Sequence, residues 1–319
     1  MQISSLTTTK WTGLTLPWML TFGLLARAVT PASAAELPVT PENPPRLTAN
    51  ATTDEPAWAE SPFTADHSPV RVLIAGQRMD TGCECYVITP GMGGTVSGDS
   101  FHQLAATICK RFPQACVIRL DWSEKASVKF LGILDPWKVA GSIDAVADQA
   151  AAVLKKEGLD PARTTFIGES FGNWVNARIA HQLGGVHGIL AFNPANEGGG
   201  YTLPDLRKHA RRSWSFHTYS VFDTTLEIAD CDFWLETPKD ATHWGQHVAG
   251  IKWLTARIEA GDHTWLSMDK ILPQRRAGCF RAKATIEGQL VDEQLPRERP
   301  VPVEKSDRPS AADVTVAAE

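Results

Sequence analysis

Short apolar runs alternate along the chain with segments of helical periodicity, and this alternation limits the possible folds more than any other feature of the sequence. The predicted strands are residues 70–75, 85–89, 116–120, 164–167, 188–192 and 214–219. Several are apolar at successive positions, as strands buried on both faces are. The clearest helix, residues 142–156, has apolar side chains at helical spacing and ends before Gly158 and Pro161. The pattern predicts an α/β fold with helices on both faces of a mostly parallel sheet.

The two ends of the chain differ in composition from its middle. Lys10, the apolar residues 18–25 and the small residues 31–35 predict a secretory signal peptide, residues 1–34, cleaved after Ala34. Residues 35–69 are rich in Pro, Ala and Thr and predict an exposed linker, whereas the polar segment 273–319 predicts a disordered tail. We therefore expect one domain at 70–272 in a secreted, periplasmic or extracellular protein.

Charge and cysteine content restrict the partners and the chemistry. The formal net charge is −5, with no basic stripe, which argues against nucleic acid as a partner. Six cysteines in an exported chain favour disulfides over metal ligation, and we predict neither a metal nor another cofactor. Cys83 and Cys85 share one face of a predicted strand, while Cys109 and Cys116 bracket a helix end and a strand start. The second pair is the preferred disulfide.

The segment Gly168-Glu169-Ser170-Phe171-Gly172 joins a predicted buried strand to a predicted helix. A serine on such a tight turn needs small residues two positions to either side, because a Cβ there would collide with the neighbouring strand and helix. A bare GxSxG motif is weak, so the placement of the motif carries the prediction that Ser170 is a nucleophile. The alternative is a serine in a glycine-lined turn of a non-catalytic domain.

A glycine-rich loop, residues 90–94, follows an early predicted strand. Acyl transfer needs two backbone N–H donors aimed at the developing oxyanion, one after the nucleophile and one from such a loop. We assign these donors to Phe171 and Met92. An ordinary turn or a phosphate cradle are the alternatives, but no Lys followed by Ser or Thr supports a nucleotide site.

Four segments resemble motifs of the pancreatic-lipase family, which includes triacylglycerol lipases and phospholipases A1, and they occur in the same order. They are residues 109–122 ending in Asp-Trp, 192–195 (Phe-Asn-Pro-Ala), 216–218 (Phe-His-Thr) and 232–233 (Asp-Phe). The resemblance implies an α/β-hydrolase fold and ester hydrolysis by a Ser-His-acid triad. The chain departs from the family at Pro90, Glu169 and Asn193, which stand where the family has a His, a His and the triad acid.

The general base should come late in the chain, on a loop at the entrance of a final helix. His247 and His243 both qualify. His247 is preferred, because the apolar residues that follow it have helical spacing and because residues 247–253 resemble the family's catalytic His and closing helix.

The acid stays open at this stage. Asp223 follows the last of the strands predicted above, where most α/β-hydrolases outside this family carry their acid. Asn193 could orient an imidazole but could not stabilise its positive charge. Glu197 is a further carboxylate nearby.

Together these features predict a secreted serine carboxylic-ester hydrolase of lipase type. Its substrate would be a lipid or another apolar acyl ester, with transient contact to a lipid surface, an acyl-enzyme on Ser170 and His247 as base. Reduced activity is expected because Asn193 replaces the acid. The alternative is a lipase-like binding or surface protein that has lost catalysis. The sequence leaves the oligomeric state open.

Overall fold

A ten-stranded sheet organises the computed structural model. The structure describes residues 56–79, 82–94, 99–127, 129–130, 133–195, 197–198, 201–202, 205–218, 228–235, 243–268, 280–284 and 290–291. The predicted signal peptide, most of the predicted linker and Asp223 lie outside the described residues. None of the helices in the described part of the chain is long and apolar enough to span a bilayer.

The strands run in a mostly parallel sheet with antiparallel pairs near its two edges. In chain order they are β1 (Ala59–Glu60), β2 (Arg71–Gly76), β3 (Cys85–Thr89), β4 (Cys116–Asp121), β5 (Thr164–Glu169), β6 (Val186–Phe192), β7 (Ala210–His217), β8 (Cys231–Leu235), β9 (Phe280–Ala284) and β10 (Leu290–Val291). Their order in the sheet is β1-β2-β4-β3-β5-β6-β7-β8-β9-β10. The pairs from β4 to β9 are parallel, whereas β2 is antiparallel to β1 and to β4, and β10 to β9.

Helices cover both faces of this sheet. They are α1 (Asp99–Arg111), α2 (Ser123–Ala126), α3 (Pro136–Lys156), α4 (Gly172–Gln182), α5 (His243–Glu259) and α6 (Thr264–Ser267). Helices α3 and α4 pack together over one buried apolar cluster, and α1 and α5 pack together over the other. Alternate residues of the central strands enter the two clusters, so the strands are buried on both faces. The predicted α/β-hydrolase fold class is confirmed.

Helix α3 begins at Pro136 rather than at residue 142, because a capping signal precedes the apolar periodicity. The carboxylate of Asp135 accepts hydrogen bonds from the backbone N–H groups of Trp137 and Lys138, both at 3.1 Å. Proline at the first helical position lacks an N–H that would have no intrahelical partner there. The cap satisfies two of the free amides at the start of the helix.

The sheet extends beyond the predicted domain limits of 70 and 272. Strand β1 lies within the predicted linker, and β9 and β10 lie within the predicted tail, so both predictions are corrected at these positions. The sequence of β9, Phe-Arg-Ala-Lys-Ala, alternates apolar and basic residues. This period of two indicates a strand, but the surrounding polar composition conceals it.

The predicted disulfide between Cys109 and Cys116 is not formed, because the two residues lie on opposite faces of the sheet. Cys116 belongs to the cluster under α3 and α4, whereas Cys109 packs against the other cluster. Within the described segments, Cys85, Cys109 and Cys116 are free thiols. Cys116 instead pairs in register with Cys85. The hydrogen bond between these two thiols, together with burial, raises the pKa of Cys85 far above its usual value.

The aromatic stack in the middle of the sheet should dominate its stability. Phe216 is fully buried, and its ring centroid lies 4.7 Å from that of Phe192 and 5.0 Å from that of Phe233. We expect Phe216→Ala to lower the free energy of unfolding in urea by about 3–5 kcal/mol, because the neighbouring rings cannot fill the cavity. The control is Phe63→Ala at a side chain that is 44% exposed, where we expect a change below about 1 kcal/mol. Equal losses for the two variants would contradict this account of the core.

Candidate active site

Ser170 lies on a sharp, strained turn between β5 and α4. Its φ of +51° is in the left-handed region, which costs a residue other than glycine about 1–3 kcal/mol. Its amide donates to the Phe192 carbonyl at 3.0 Å, and its own carbonyl accepts from the Asn173 amide at 3.2 Å. The Asn173 side-chain amide donates to the same two carbonyls at 3.1 Å each. The strained conformation is therefore held by the neighbouring strand and by the first turn of the helix.

The glycines on either side of the turn are needed for the steric reason predicted from the sequence. A Cβ on Gly168 would lie 2.6 Å from Oδ1 of Asn173 in helix α4, and a Cβ on Gly172 would lie 2.3 Å from the Thr89 carbonyl oxygen in β3. Both distances are shorter than real carbon contacts permit. The strands and the helix approach each other this closely only because these side chains are absent.

The glycine-rich loop after β3 lies directly against Ser170. A Cβ on Gly91 would lie 2.6 Å from the Cβ of Ser170. The indole N–H of Trp122, which directly follows β4, donates to the Pro90 carbonyl at 2.8 Å, and the Gly94 amide closes a turn onto the Gly91 carbonyl at 3.1 Å. The loop is thus anchored beside the nucleophile candidate.

The two predicted oxyanion donors are the second residues of two adjacent turns. Met92 follows Gly91 in one turn, and Phe171 follows Ser170 in the other. The turn bond runs from the fourth residue to the first, so it leaves the amide of the second residue out of the turn's own bonding. Within the described ranges, neither of these amides donates a hydrogen bond. Both are available to an oxygen of a ligand bound beside Ser170.

His247 is buried in the second turn of α5 and contacts a carboxylate. Its Nε2 lies 2.6 Å from Oε1 of Glu169, and the two side chains are 3% and 6% exposed. The prediction that this histidine lies on a loop before the helix is corrected, since α5 already begins at His243. The other oxygen of Glu169 accepts a hydrogen bond from the Gly91 amide at 3.1 Å. Glu169 therefore connects the turn, the glycine-rich loop and α5.

From the sequence, Glu169 is only a departure from the family pattern and has no predicted role. A signal for that role was present. Glu169 is two residues after Ile167, which packs in the same cluster as Ile251 and Leu254 of α5. Side chains two apart on a strand share a face, so Glu169 had to face the helix that carries His247.

Asn193 contacts the main chain of His247 rather than its ring. Its Nδ2 donates to the His247 carbonyl at 2.5 Å, and its Oδ1 accepts from the amide and the hydroxyl of Thr218 at 2.9 and 3.0 Å. The backbone φ of Asn193 is +39°. The expectation that this side chain orients the imidazole is therefore corrected, because both ends of the amide hold backbone elements.

Three of the predicted site residues cannot be placed in this description. Asp223 lies outside the described residues, and only the backbone is described for Glu197, in a two-residue strand, and for His243, at the first residue of α5. Ser170 is 8% exposed, and its hydroxyl makes no hydrogen bond to His247 or to another residue in the described ranges. Catalytic hydrogen bonds are often long or unformed before substrate binds.

A second group of Ser, His and Asp lies nearby but lacks the geometry of a relay. The hydroxyl of Ser215 bonds both to Nε2 of His217 at 3.0 Å and to the Asp232 carboxylate. All three residues are at most 3% exposed. Because the serine oxygen is committed to both neighbours and inaccessible, this cluster has a structural role.

Comparisons with known proteins leave the family unassigned. No family model and no curated protein matches the chain. Among solved structures, Est1E from Butyrivibrio proteoclasticus is similar at 14% identity over 66% of this chain and 98% of that one, with a TM-score of 0.41. Alpha/beta hydrolase domain-containing protein 10 from mouse is 12% identical over 66% and 99%, with a TM-score of 0.40. A putative hydrolase from Agrobacterium vitis S4 is 13% identical over 60% and 92%, with a TM-score of 0.38.

The close approach at Gly172 should make even one methyl group harmful. We expect Gly172→Ala to lower the free energy of unfolding by about 3 kcal/mol, because the added carbon forces β3 and α4 apart. The control is Gly141→Ala in α3, where an added Cβ meets no atom within 4 Å. That variant should be unchanged or stabilised by up to about 1 kcal/mol, because alanine favours the helix. Urea unfolding curves of the two variants measure the difference, and similar curves would contradict the steric argument.

Proposed function

We propose that this protein is a serine hydrolase that cleaves carboxylic esters, with Ser170 as nucleophile and His247 as general base. The observation that carries the proposal is the strained Ser170 turn packed against two uncommitted backbone amides. A left-handed serine between a buried strand and a helix costs stability, and such strain concentrates at functional sites. The same turn brings the neighbouring Glu169 into contact with a buried imidazole.

The reaction follows from these positions. The Ser170 oxygen attacks the acyl carbon, and its proton passes to the His247 imidazole. The carbonyl oxygen becomes negative and accepts hydrogen bonds from the amides of Met92 and Phe171, each of which contributes on the order of 10²–10³ in rate. Collapse of the intermediate expels the alcohol, which takes the proton from His247. Water then repeats the steps on the acyl-enzyme, releases the carboxylic acid and restores Ser170.

We further propose an apolar acyl substrate and a lipase-type enzyme. The resemblance to pancreatic-lipase motifs supports this assignment, since Trp122 of the Asp-Trp segment anchors the glycine-rich loop. Met92 packs against the apolar cluster under α3 and α4, which offers apolar surface beside the proposed oxyanion site. Residues 1–34 support export to the periplasm or the extracellular space, where a lipid or soluble ester would be met. Transient contact with a lipid surface belongs to the same proposal.

One observation favours a second candidate, a lipase-like binding or surface protein without catalysis. The Ser170 hydroxyl makes no hydrogen bond to His247, and Nε2 of His247 is instead within 2.6 Å of Glu169. In this alternative the site would bind an acyl ester and leave it intact.

The deciding experiment is active-site labelling of the full chain with a fluorophosphonate probe, combined with hydrolysis of p-nitrophenyl esters of increasing chain length. We expect labelling at Ser170, and a loss on the order of 10⁴-fold or more in kcat/KM for Ser170→Ala, because the nucleophile is removed. The matched control is Ser215→Ala, which alters the buried cluster and should keep the labelling. A wild-type protein that binds a fluorescent fatty ester but shows neither labelling nor turnover would establish the binding alternative.

A further inference from the structure

Two thiols that the proposed reaction does not use lie side by side at the amino ends of β3 and β4. Cys85 is the first residue of β3 and Cys116 the first residue of β4, and the two are direct partners in the parallel register. The Cys116 amide donates to the Glu84 carbonyl at 2.8 Å, so the main chains are joined at this level. Both thiols enter the apolar cluster under α3 and α4, and they therefore lie on the same face of the sheet.

We infer that Cys85 and Cys116 are a disulfide-forming pair, which links β3 covalently to β4 when the chain folds in the presence of an oxidant. The structure shows the pair in its reduced form. The bond is independent of the proposed hydrolysis, because Ser170 follows the carboxyl end of the parallel strand β5, at the other end of the sheet. It agrees with the proposed export, since exported chains meet an oxidising compartment.

The spacing of the two residues suits a disulfide. Neighbouring strands of a sheet are about 4.7–4.9 Å apart, and disulfides join residues whose Cα atoms are about 4.4–6.8 Å apart. Register partners on one face also direct their Cβ atoms to the same side, which a disulfide requires. The hydrogen bond with Cys116, together with burial, raises the pKa of the Cys85 thiol far above its ordinary value. The two sulfur atoms are thus already in contact before oxidation.

Two other cysteines nearby meet these conditions less well. Cys109 packs against the cluster on the opposite face of the sheet, so it cannot reach Cys116. Cys83 packs against the same cluster as Cys116 and contacts Cys85, but it precedes the first residue of β3 and is not a register partner of Cys116. A bond between Cys83 and Cys85 would close a ring over a single intervening residue. The register of the strands therefore selects Cys85 as the partner of Cys116.

Thiol–disulfide exchange with a small disulfide such as oxidised glutathione supplies the oxidation. One cysteine thiolate attacks a sulfur of oxidised glutathione, which forms a mixed disulfide and releases the first glutathione. The other cysteine thiolate then attacks the protein sulfur of the mixed disulfide, and the second glutathione leaves. The two protein thiols give up two electrons and two protons, and one oxidised glutathione becomes two reduced molecules.

This exchange belongs to folding rather than to the folded state. In the folded chain Cys85 is 1% exposed and Cys116 is 0% exposed, so no external disulfide reaches either sulfur. The raised pKa of Cys85 also removes the thiolate that would attack. Both thiols are accessible before α3 and α4 cover this face of the sheet. Once the bond has formed, the same helices shield it from external reductants.

The bond would fix the amino ends of two strands whose carboxyl ends lead to the candidate active site. Strand β3 leads into the glycine-rich loop, and β4 leads to Trp122, which holds that loop through the Pro90 carbonyl. Because the strands are parallel, these two carboxyl ends lie at the same end of the sheet. A covalent link at the amino ends therefore stabilises the strand pair without touching the site itself.

Refolding of the full chain from urea in a buffer of reduced and oxidised glutathione tests this pairing directly. Remaining thiols are blocked with iodoacetamide in urea, and the protein is digested with trypsin and a protease that cleaves after Glu84 and Asp99. The cuts place the four cysteines of this region on separate peptides, namely those with Cys83, Cys85, Cys109 and Cys116. We expect residues 85–99 to be linked to residues 112–119. If Cys116 is found mainly alkylated, or linked to a different cysteine, the pairing is wrong.

Melting temperatures test whether the bond belongs to the native fold. It closes a loop of about thirty residues in the unfolded chain, so the oxidised wild type should melt roughly 6–12 °C above protein that was reduced in urea and refolded with reductant. In Cys116→Ala this difference between oxidised and reduced samples should shrink by the same amount, whereas the matched control Cys109→Ala should retain it.

Each variant is compared with its own reduced form, so the packing lost in Cys116→Ala does not enter the comparison. Cys85→Ala serves as the second variant if Cys116→Ala does not fold, and the peptide mapping needs only the wild type. An oxidised-to-reduced difference that is equal in the wild type and in Cys116→Ala would show that the bond is not part of the native fold, and would overturn the assignment.

Discussion

The contact between Glu169 and His247 is the interaction on which the site depends, because it joins parts of the chain that are far apart in sequence. Glu169 ends β5, its second oxygen holds the loop after β3, and His247 belongs to α5. A buried charge is costly unless it is paired and hydrogen-bonded, so loss of one partner would leave the other strongly unfavourable. The pair therefore couples the position of α5 to the Ser170 turn.

The fold could be predicted from the sequence where a short stretch of residues determines the structure. The prediction failed where the structure depends on neighbours across the sheet. Strand β3 has the predicted bounds, because a buried strand between turn residues is visible in a short window. Strands β8 and β9 are short and lie in segments of mixed polarity. Their pairing in the sheet, β8 with both β7 and β9, indicates that they are strands more clearly than their composition does. The disulfide prediction between Cys109 and Cys116 failed because closeness in sequence does not say which face of a sheet each thiol occupies.

The candidate site also combines features that follow from local sequence with features that depend on packing. The need for Gly168 and Gly172 follows from the turn itself, and the structure supplies the atoms that a Cβ would strike. The contact between Glu169 and His247 could not be predicted from local sequence, because the packing of α5 brings these two distant residues together. The contacts of Asn193 are harder still to predict, since the side chain binds a main-chain carbonyl and not a side chain that a motif would reveal.

Two departures from the family resemblance take on a joint meaning once the contacts are known. At position 169 a carboxylate stands where the family has histidine, and at position 193 an amide stands where the family has its acid. Considered alone, the second change removes the charge that an imidazolium needs and suggests decay of the site. Considered together, the two changes keep one carboxylate in contact with His247, and the amide supplies a donor that a carboxylate lacks. The desolvation of Glu169 and His247 opposes folding unless their pairing compensates for it, and the contact at 2.6 Å supplies that pairing.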